Sequence, residues 1–198
     1  MNLHNQSILV CVCGGIAAYK VCDVVSKLAQ AKANVTVAMT GEAQKFVGAT
    51  TFQALSANPV YTDLWTPLEG RDPQHIRLAQ SANLILVAPC TGNMMAKMAA
   101  GIADDLVSVL LLAADPRKVV IAPAMNEAMW NHPATQRNAK RLLDDGIQFI
   151  GPGSGWQACR TIGVGRMVES VEILEWIEKR LVGQPAPGSG EPAKHFTP

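Results

Sequence analysis

Cys159 stands in the stretch Gly155-Trp156-Gln157-Ala158-Cys159-Arg160-Thr161-Ile162-Gly163-Val164-Gly165-Arg166-Met167, where glycines and arginines surround a single thiol. Such a segment is poor core material. It suits a mobile lid that brings a thiol to a bound ligand, with Arg160 and Arg166 supplying nearby positive charge. Two further polar islands complement it. His75 precedes Ile76, Leu78 and Ala79, near the start of a short helix, where an imidazole can take a proton close to neutral pH. Asn126 closes Ala122-Pro123-Ala124-Met125-Asn126, so its amide can donate to a carboxylate while Met125 and Met129 pack on a flat ring. Each also has an ordinary use: His75 as a surface or core histidine, Asn126 as a helix cap.

Two turns add binding chemistry. In Cys13-Gly14-Gly15-Ile16-Ala17-Ala18-Tyr19-Lys20 a strand hands over to a helix, and backbone N–H groups at a helix start bind anions. The run is neither G-x-G-x-x-G nor a G-K-[ST] P-loop, so a mononucleotide phosphate suits it better than NAD or ATP. A tight turn packing helix on sheet would use the same residues. Pro89-Cys90-Thr91-Gly92-Asn93-Met94 and the run around Asp105 offer hydroxyl, amide and backbone groups for a ribityl chain or an isoalloxazine edge. Thr91 or Asn93 would equally serve as a helix cap. Cys11 and Cys13 alternate along a strand and read as small buried hydrophobes. His4, His132 and His195 have no comparable setting, no Cys/His spacing resembles a zinc site, and no metal is expected.

The elements that must position these groups alternate between strand-length apolar runs and helical patterns, the mark of an α/β fold with an open parallel sheet and helices on both faces. Residues 8–13, 35–39, 84–88 and 119–122 read as strands, with a shorter one at 147–150. Continuous apolar character places them in a sheet interior. Val21, Val24, Val25 and Leu28 share one helical face, and Val171, Leu174, Ile177 and Leu181 another. Gly14-Gly15, Thr40-Gly41, Thr91 to Asn93 and Ala124 to Asn126 all follow strands. In an open parallel sheet ligands bind outside the carboxyl ends of the strands, so these turns share one edge.

The chain has 198 residues, which favours one domain, here residues 1–182, followed by a Pro/Gly-rich tail or linker at 183–198. Lys+Arg 17 against Asp+Glu 16 leaves no basic block to suggest nucleic acid or a membrane surface. No apolar run reaches the roughly 18 residues of a membrane span, and the first residues do not read as a signal peptide. Five cysteines without a secretory signal fit a reduced, cytoplasmic compartment.

With these residues laid out, the chain resembles the homo-oligomeric flavin-containing cysteine decarboxylases, from about residue 7 to residue 181. Gly14-Gly15-Ile16-Ala17-Ala18-Tyr19-Lys20, His75, Pro123-Ala124-Met125-Asn126, and Ala158-Cys159 followed by Gly163-Val164-Gly165-Arg166-Met167 carry the resemblance. It departs where the family usually has alanine in place of Cys90 and Gly92, and where glycine commonly follows the cysteine at the place of Arg160. The resemblance implies a Rossmann-like flavoprotein with FMN at the subunit interface of a trimer. It implies FMN contacts from Gly14, Gly15, Ile16, Ala17, Thr40, Phe46, Thr91, Asn93, Met94 and Asp105. Ala124, Met125, Asn126, Met129 and Arg166 are the implied substrate contacts.

The implied reaction is decarboxylation of 4′-phosphopantothenoylcysteine to 4′-phosphopantetheine in coenzyme A biosynthesis. The thiol-bearing carbon is transiently oxidised to a thioaldehyde with His75 as base, carbon dioxide leaves an enethiolate, and hydride and proton return. Asn126 positions the carboxylate and Cys159 supplies the proton. Bacterial members are often fused to a phosphopantothenoylcysteine synthetase, so the chain reads as a stand-alone decarboxylase or as the N-terminal part of a longer protein. A peptidyl-cysteine decarboxylase, which releases an oxidised enethiol, would need no cysteine lid. A prenyl-flavin synthase is disfavoured by Pro123 to Asn126. A non-catalytic flavin-binding regulatory subunit would carry an acidic tail that this chain lacks.

Overall fold

The computed structural model describes residues 1–65 and 74–182. The tail expected at 183–198 lies outside the described residues. Six parallel strands form the central sheet in the order β3-β2-β1-β4-β5-β6. They are β1 (Ser7–Val12), β2 (Asn34–Met39), β3 (Val60–Tyr61), β4 (Leu84–Cys90), β5 (Val119–Pro123) and β6 (Gln148–Phe149). The chain works outward from β1 to β3, then returns to the other side of β1 with β4. The strand order therefore reverses between β1 and β4, and a crevice opens beyond their carboxyl ends.

Side chains alternate across the sheet and feed two cores. Ile8, Val10 and Val12 of β1 face one cluster, and Leu9 and Cys11 face the other, joined by Cys13 just beyond the strand. The first cluster is roofed by helices α1 (Ala18–Gln30), α2 (Ala49–Ser56) and α8 (Ser170–Val182). Val21, Val24, Val25 and Leu28 of α1 are fully buried there, each worth about 1.5–3 kcal/mol of apolar burial. The second is covered by α3 (Gln74–Ser81), α4 (Gly92–Ala100), α5 (Leu106–Leu112) and α7 (Pro133–Asp144). A short helix, α6 (Glu127–Asn131), follows β5. Among the described residues no helix is long and apolar enough to cross a membrane.

The sequence reading placed no helix at α2, α5 or α7, and it also missed two strand features. Strand β3 is a two-residue edge piece, too short to leave a periodic trace. The glycine-rich segment around Cys159, read as a loop, is a two-stranded antiparallel ribbon of β7 (Gly153–Trp156) and β8 (Ile162–Arg166). Its strands are half-exposed and small, so neither hydrophobic alternation nor β-propensity announced them. At its base Met167 and Val168 are buried in the first core, which fixes the ribbon to the body of the fold.

Candidate active site

A cavity of about 780 Å³ lies over the crevice between β1 and β4. Its floor is the turn after β1. Gly14 allows this turn to lie against the turn after β2, because a Cβ on it would fall 2.3 Å from Cβ of Glu42. A Cβ on Gly15 would lie 3.6 Å from Cγ2 of Thr91 and 3.7 Å from Cγ of Pro89, between the turns after β1 and β4. Helix α1 has Ala17 at its N-cap and no side chain capping it. Its neighbours are different: Thr91 Oγ1 accepts from Met94 N at 3.2 Å, and Asp105 Oδ1 from Ser108 N at 2.9 Å. Within the first turn of α1, Ala18 N donates to Gly15 O at 2.9 Å and Lys20 N to Ala17 O at 3.0 Å, so it is the N–H groups of the turn before the helix, with its positive dipole end, that suit an anion.

Around the floor, Ile16, Ala17, Thr40 and Met94 line the cavity, and so do Thr91, Asn93 and Asp105. Thr40 is buried and holds its own loop by accepting from Ala43 N at 3.2 Å. Asp105 pairs with Lys97 Nζ at 2.7 Å. Burial pulls the Lys97 ammonium down, but the hydrogen bonds it donates to Asp104 and Asp105 outweigh that and hold Lys97 above the ordinary lysine value. Cys13 also lines the floor; burial pushes its thiol up to about 12, so it sits there as a neutral apolar group.

The wall opposite is built from Ala124, Met125, Asn126 and Met129, where β5 turns into α6. Asn126 Oδ1 accepts from Met129 N at 2.8 Å and caps α6. The capping and recognition readings are therefore compatible, since the cap uses the amide oxygen and leaves the NH₂ as a donor. Ribbon β7–β8 closes against this wall. Met125 N donates to Gly165 O at 2.8 Å, and Val164 N to a Glu127 carboxylate oxygen at 3.3 Å. The glycines at 163 and 165 follow from that approach. A Cβ at Gly165 (φ 122°) would lie 2.5 Å from Met125 O, and one at Gly163 would meet the Glu127 carboxylate at 2.6 Å.

Cys159 sits exposed at the tip of the ribbon and lines the cavity, as does Arg166 further down β8. Arg166 and Lys20 share Glu169: Lys20 Nζ lies 3.0 Å from Oε1 of Glu169, and the Arg166 guanidinium donates to the same oxygen. The Lys20 hydrogen bond, opposed by a smaller desolvation cost and assisted by Arg166, holds the Glu169 carboxyl below its usual range. Two expected residues do not line the cavity. His75 is half-buried at the start of α3, which packs against β1 and α5, and Phe46 is exposed after the turn that follows β2. Conversely, Lys20, Glu42 and the buried Gln157 line the cavity without having been singled out. Lys20 was visible as the end of the glycine-turn motif, whereas Gln157 gave no signal apart from its place two residues before the cysteine.

A parallel sheet with a cavity at its switch point, an uncapped helix start on the floor and a thiol at the rim narrows the family. The flavoprotein family profile matches residues 1–182. The chain belongs to that family. The bifunctional coenzyme A biosynthesis protein CoaBC of Bacillus subtilis is 49% identical to this flavoprotein over 179 residues, covering 90% of the chain and 44% of that protein. CoaBC of Escherichia coli K12 is 42% identical over 175 residues, covering 88% of the chain and 43% of that protein. The chain thus spans less than half the length of the curated relatives it matches. Among solved structures, a cysteine-to-serine mutant of PPC decarboxylase complexed with pantothenoylaminoethenethiol is 29% identical. It superposes with a TM-score of 0.80, covering 90% of this flavoprotein and 98% of that chain. The FMN binding protein AtHal3 is 28% identical with a TM-score of 0.81, covering 92% and 100%.

Proposed function

We propose that this flavoprotein catalyses the FMN-dependent decarboxylation of 4′-phosphopantothenoylcysteine to 4′-phosphopantetheine, a step of coenzyme A biosynthesis. One observation carries the reading: a single cavity joins the uncapped start of α1, the Asn126 amide and the Cys159 thiol. The relatives support it, since the PPC decarboxylase mutant and the FMN binding protein AtHal3 share the fold over nearly the whole chain.

The cavity residues fit FMN. The N–H groups from Gly14 to Ala17 and the α1 dipole suit its phosphate, Thr40, Thr91, Asn93 and Asp105 suit a polyol and a heteroaromatic edge, and Met94 and Met125 suit a ring face. Bound FMN would supply reversible two-electron chemistry at the thiol-bearing carbon. The protein's own part is positional and protonic. Asn126 orients the substrate carboxylate by its NH₂ so that it departs as carbon dioxide once the neighbouring carbon is electron-poor. Lys20 and Arg166, clamped by Glu169, place positive charge where an anionic substrate enters. Cys159 supplies the proton that replaces the departed carbon dioxide.

His75 is the base in this scheme, and its place outside the cavity lining of one chain supports a homo-oligomer, a trimer or an assembly of trimers, in which a second copy completes the site. The match to bifunctional relatives supports a fused or separate phosphopantothenoylcysteine synthetase as partner. The Cys159 thiol at the cavity rim favours the full cycle over a reaction that ends at an oxidised enethiol. The test is anaerobic incubation of the purified protein with 4′-phosphopantothenoylcysteine, read by mass spectrometry. Phosphopantetheine as product upholds the reading. No loss of carbon dioxide with FMN bound would overturn it.

A further inference from the structure

The tip of the β7–β8 ribbon is a small hydrogen-bonded device. Gln157 N donates to Thr161 O at 2.8 Å and Arg160 N to Gln157 O at 2.9 Å, closing a turn that carries Cys159. The Gln157 side chain folds underneath this turn and is buried. Its Nε2 lies 3.3 Å from Gly163 O and 3.0 Å from Val164 O, two carbonyls that can only accept. That fixes the amide orientation: Oε1 must face the other way, where it accepts from Glu127 N at 3.2 Å and from the Cys159 thiol at 3.6 Å. Thr161 Oγ1 lies 3.0 Å from the same sulfur. A thiol has one proton. With Gln157 Oε1 able only to accept, that proton goes to Gln157, and the Thr161 hydroxyl donates to sulfur.

We propose that Gln157 and Thr161 are positioning residues that hold the Cys159 thiol in register with Asn126. Glu127 N, which Gln157 engages, belongs to the residue directly after Asn126. One buried amide therefore ties the proton donor to the turn that presents the carboxylate-binding group. The proposal rests on the reading of Cys159 as proton donor. In that step the Cys159 S–H bond breaks and a C–H bond forms at the carbon that has lost carbon dioxide. The enethiolate sulfur pair becomes C=S, and Cys159 is left as a thiolate that regains a proton from water. The hydride removed in the first step then adds to the C=S carbon, and the resulting thiolate takes a proton from water to become the thiol. Rotation about Cβ–Sγ alone carries the proton from Gln157 Oε1 toward the cavity, while the Thr161 hydroxyl keeps the sulfur in place before and after transfer.

The test reads the ratio of oxidised enethiol to phosphopantetheine formed by the FMN-loaded enzyme, a ratio independent of how much protein is folded. Thr161 is exposed, so Thr161→Val exchanges a hydroxyl for a methyl at nearly constant shape. We expect it to raise the ratio roughly fivefold to tenfold, the scale of one neutral hydrogen bond. Thr161→Ser should restore it, and Gln157→Leu should raise it further. A wild-type ratio in Thr161→Val, alongside accumulation of oxidised enethiol in Cys159→Ser, would overturn the proposal and leave the proton role of Cys159 standing. Normal phosphopantetheine from Cys159→Ser would remove that role, and this proposal with it.

Discussion

The floor of the cavity and the ribbon that closes it both present cysteine, glycine and a positively charged side chain, but different forces hold them. The floor grows directly out of β1 and β4, whose side chains are buried in both cores, and Cys11, Cys13 and Cys90 are part of that packing. Among the described residues, the ribbon joins the buried core at its base, through Met167 and Val168. Above the base it is held by side-chain amide, carboxylate and backbone bonds to the start of α6 and the residues before it. Apolar burial is non-directional and summed over many contacts; a handful of hydrogen bonds, each worth about 1 kcal/mol net, can open locally without unfolding the domain. The comparison separates a part that holds from a part that delivers.

Thiol chemistry should expose that difference most strongly. In the native protein at pH 8, iodoacetamide should modify Cys159 and leave Cys11, Cys13 and Cys90 untouched until the chain unfolds, read by peptide mass mapping. Burial raises the thiols of all three floor cysteines, Cys13 to about 12. The sign of the linkage follows. Above the ordinary thiol value of about 8.5 the unfolded chain loses protons that the fold retains, so stability is full below that value and falls as pH rises toward 12. Urea midpoints that stay flat from pH 8 to 11 would show that the floor opens to water.

Two glycine substitutions divide the regions next. Gly14→Ala drives a Cβ into Glu42 in the floor, and Gly165→Ala drives one into Met125 O while demanding a left-handed backbone. Overpacking and strain each cost about 1–3 kcal/mol. In the floor that cost is global, and a domain of this size should lose roughly 3–10 °C in Tm. In the ribbon it should appear as local opening: Tm within about 2 °C of wild type, with faster amide exchange over residues 157–165 and more oxidised enethiol among the products. Equal Tm losses for both variants would erase the distinction.

The same contrast explains what the sequence made legible. Strands 84–88 and 119–122, the Val21 to Leu28 helical face and the shared edge of the turns were readable because apolar burial writes a periodic pattern. The floor residues came with it, since their place after each strand is a consequence of topology. The ribbon was misread as a loop because its order comes from close backbone approach at Gly163 and Gly165, which in sequence looks like flexibility. Gln157 was passed over for a related reason: a buried amide whose four partners lie on the ribbon and α6 has no one-dimensional signature. His75 was legible as a chemical group and as a helix start, but its place outside the lining of the cavity was not.

Arg160 offers the finest probe of the ribbon. It holds a left-handed φ of 67°, at the position where the resemblance had pointed to glycine, and its N–H closes the turn on Gln157 O. A side chain in that region costs on the order of 1 kcal/mol relative to glycine, because Cβ crowds the backbone. Against this, glycine would restore freedom to the unfolded chain and to the opened tip, which offsets much of the gain. Arg160→Gly should therefore change global stability by less than about 0.5 kcal/mol. It should act on the tip, where relief of strain favours the closed turn and loss of the long side chain removes a charge beside Cys159. We expect amide exchange at Thr161 and Ile162 to slow by about twofold, with the product ratio moving toward phosphopantetheine. Faster exchange at those amides would mean that Arg160 stabilises the turn through its side chain, and that the ribbon is held at its tip as well as at its base and against α6.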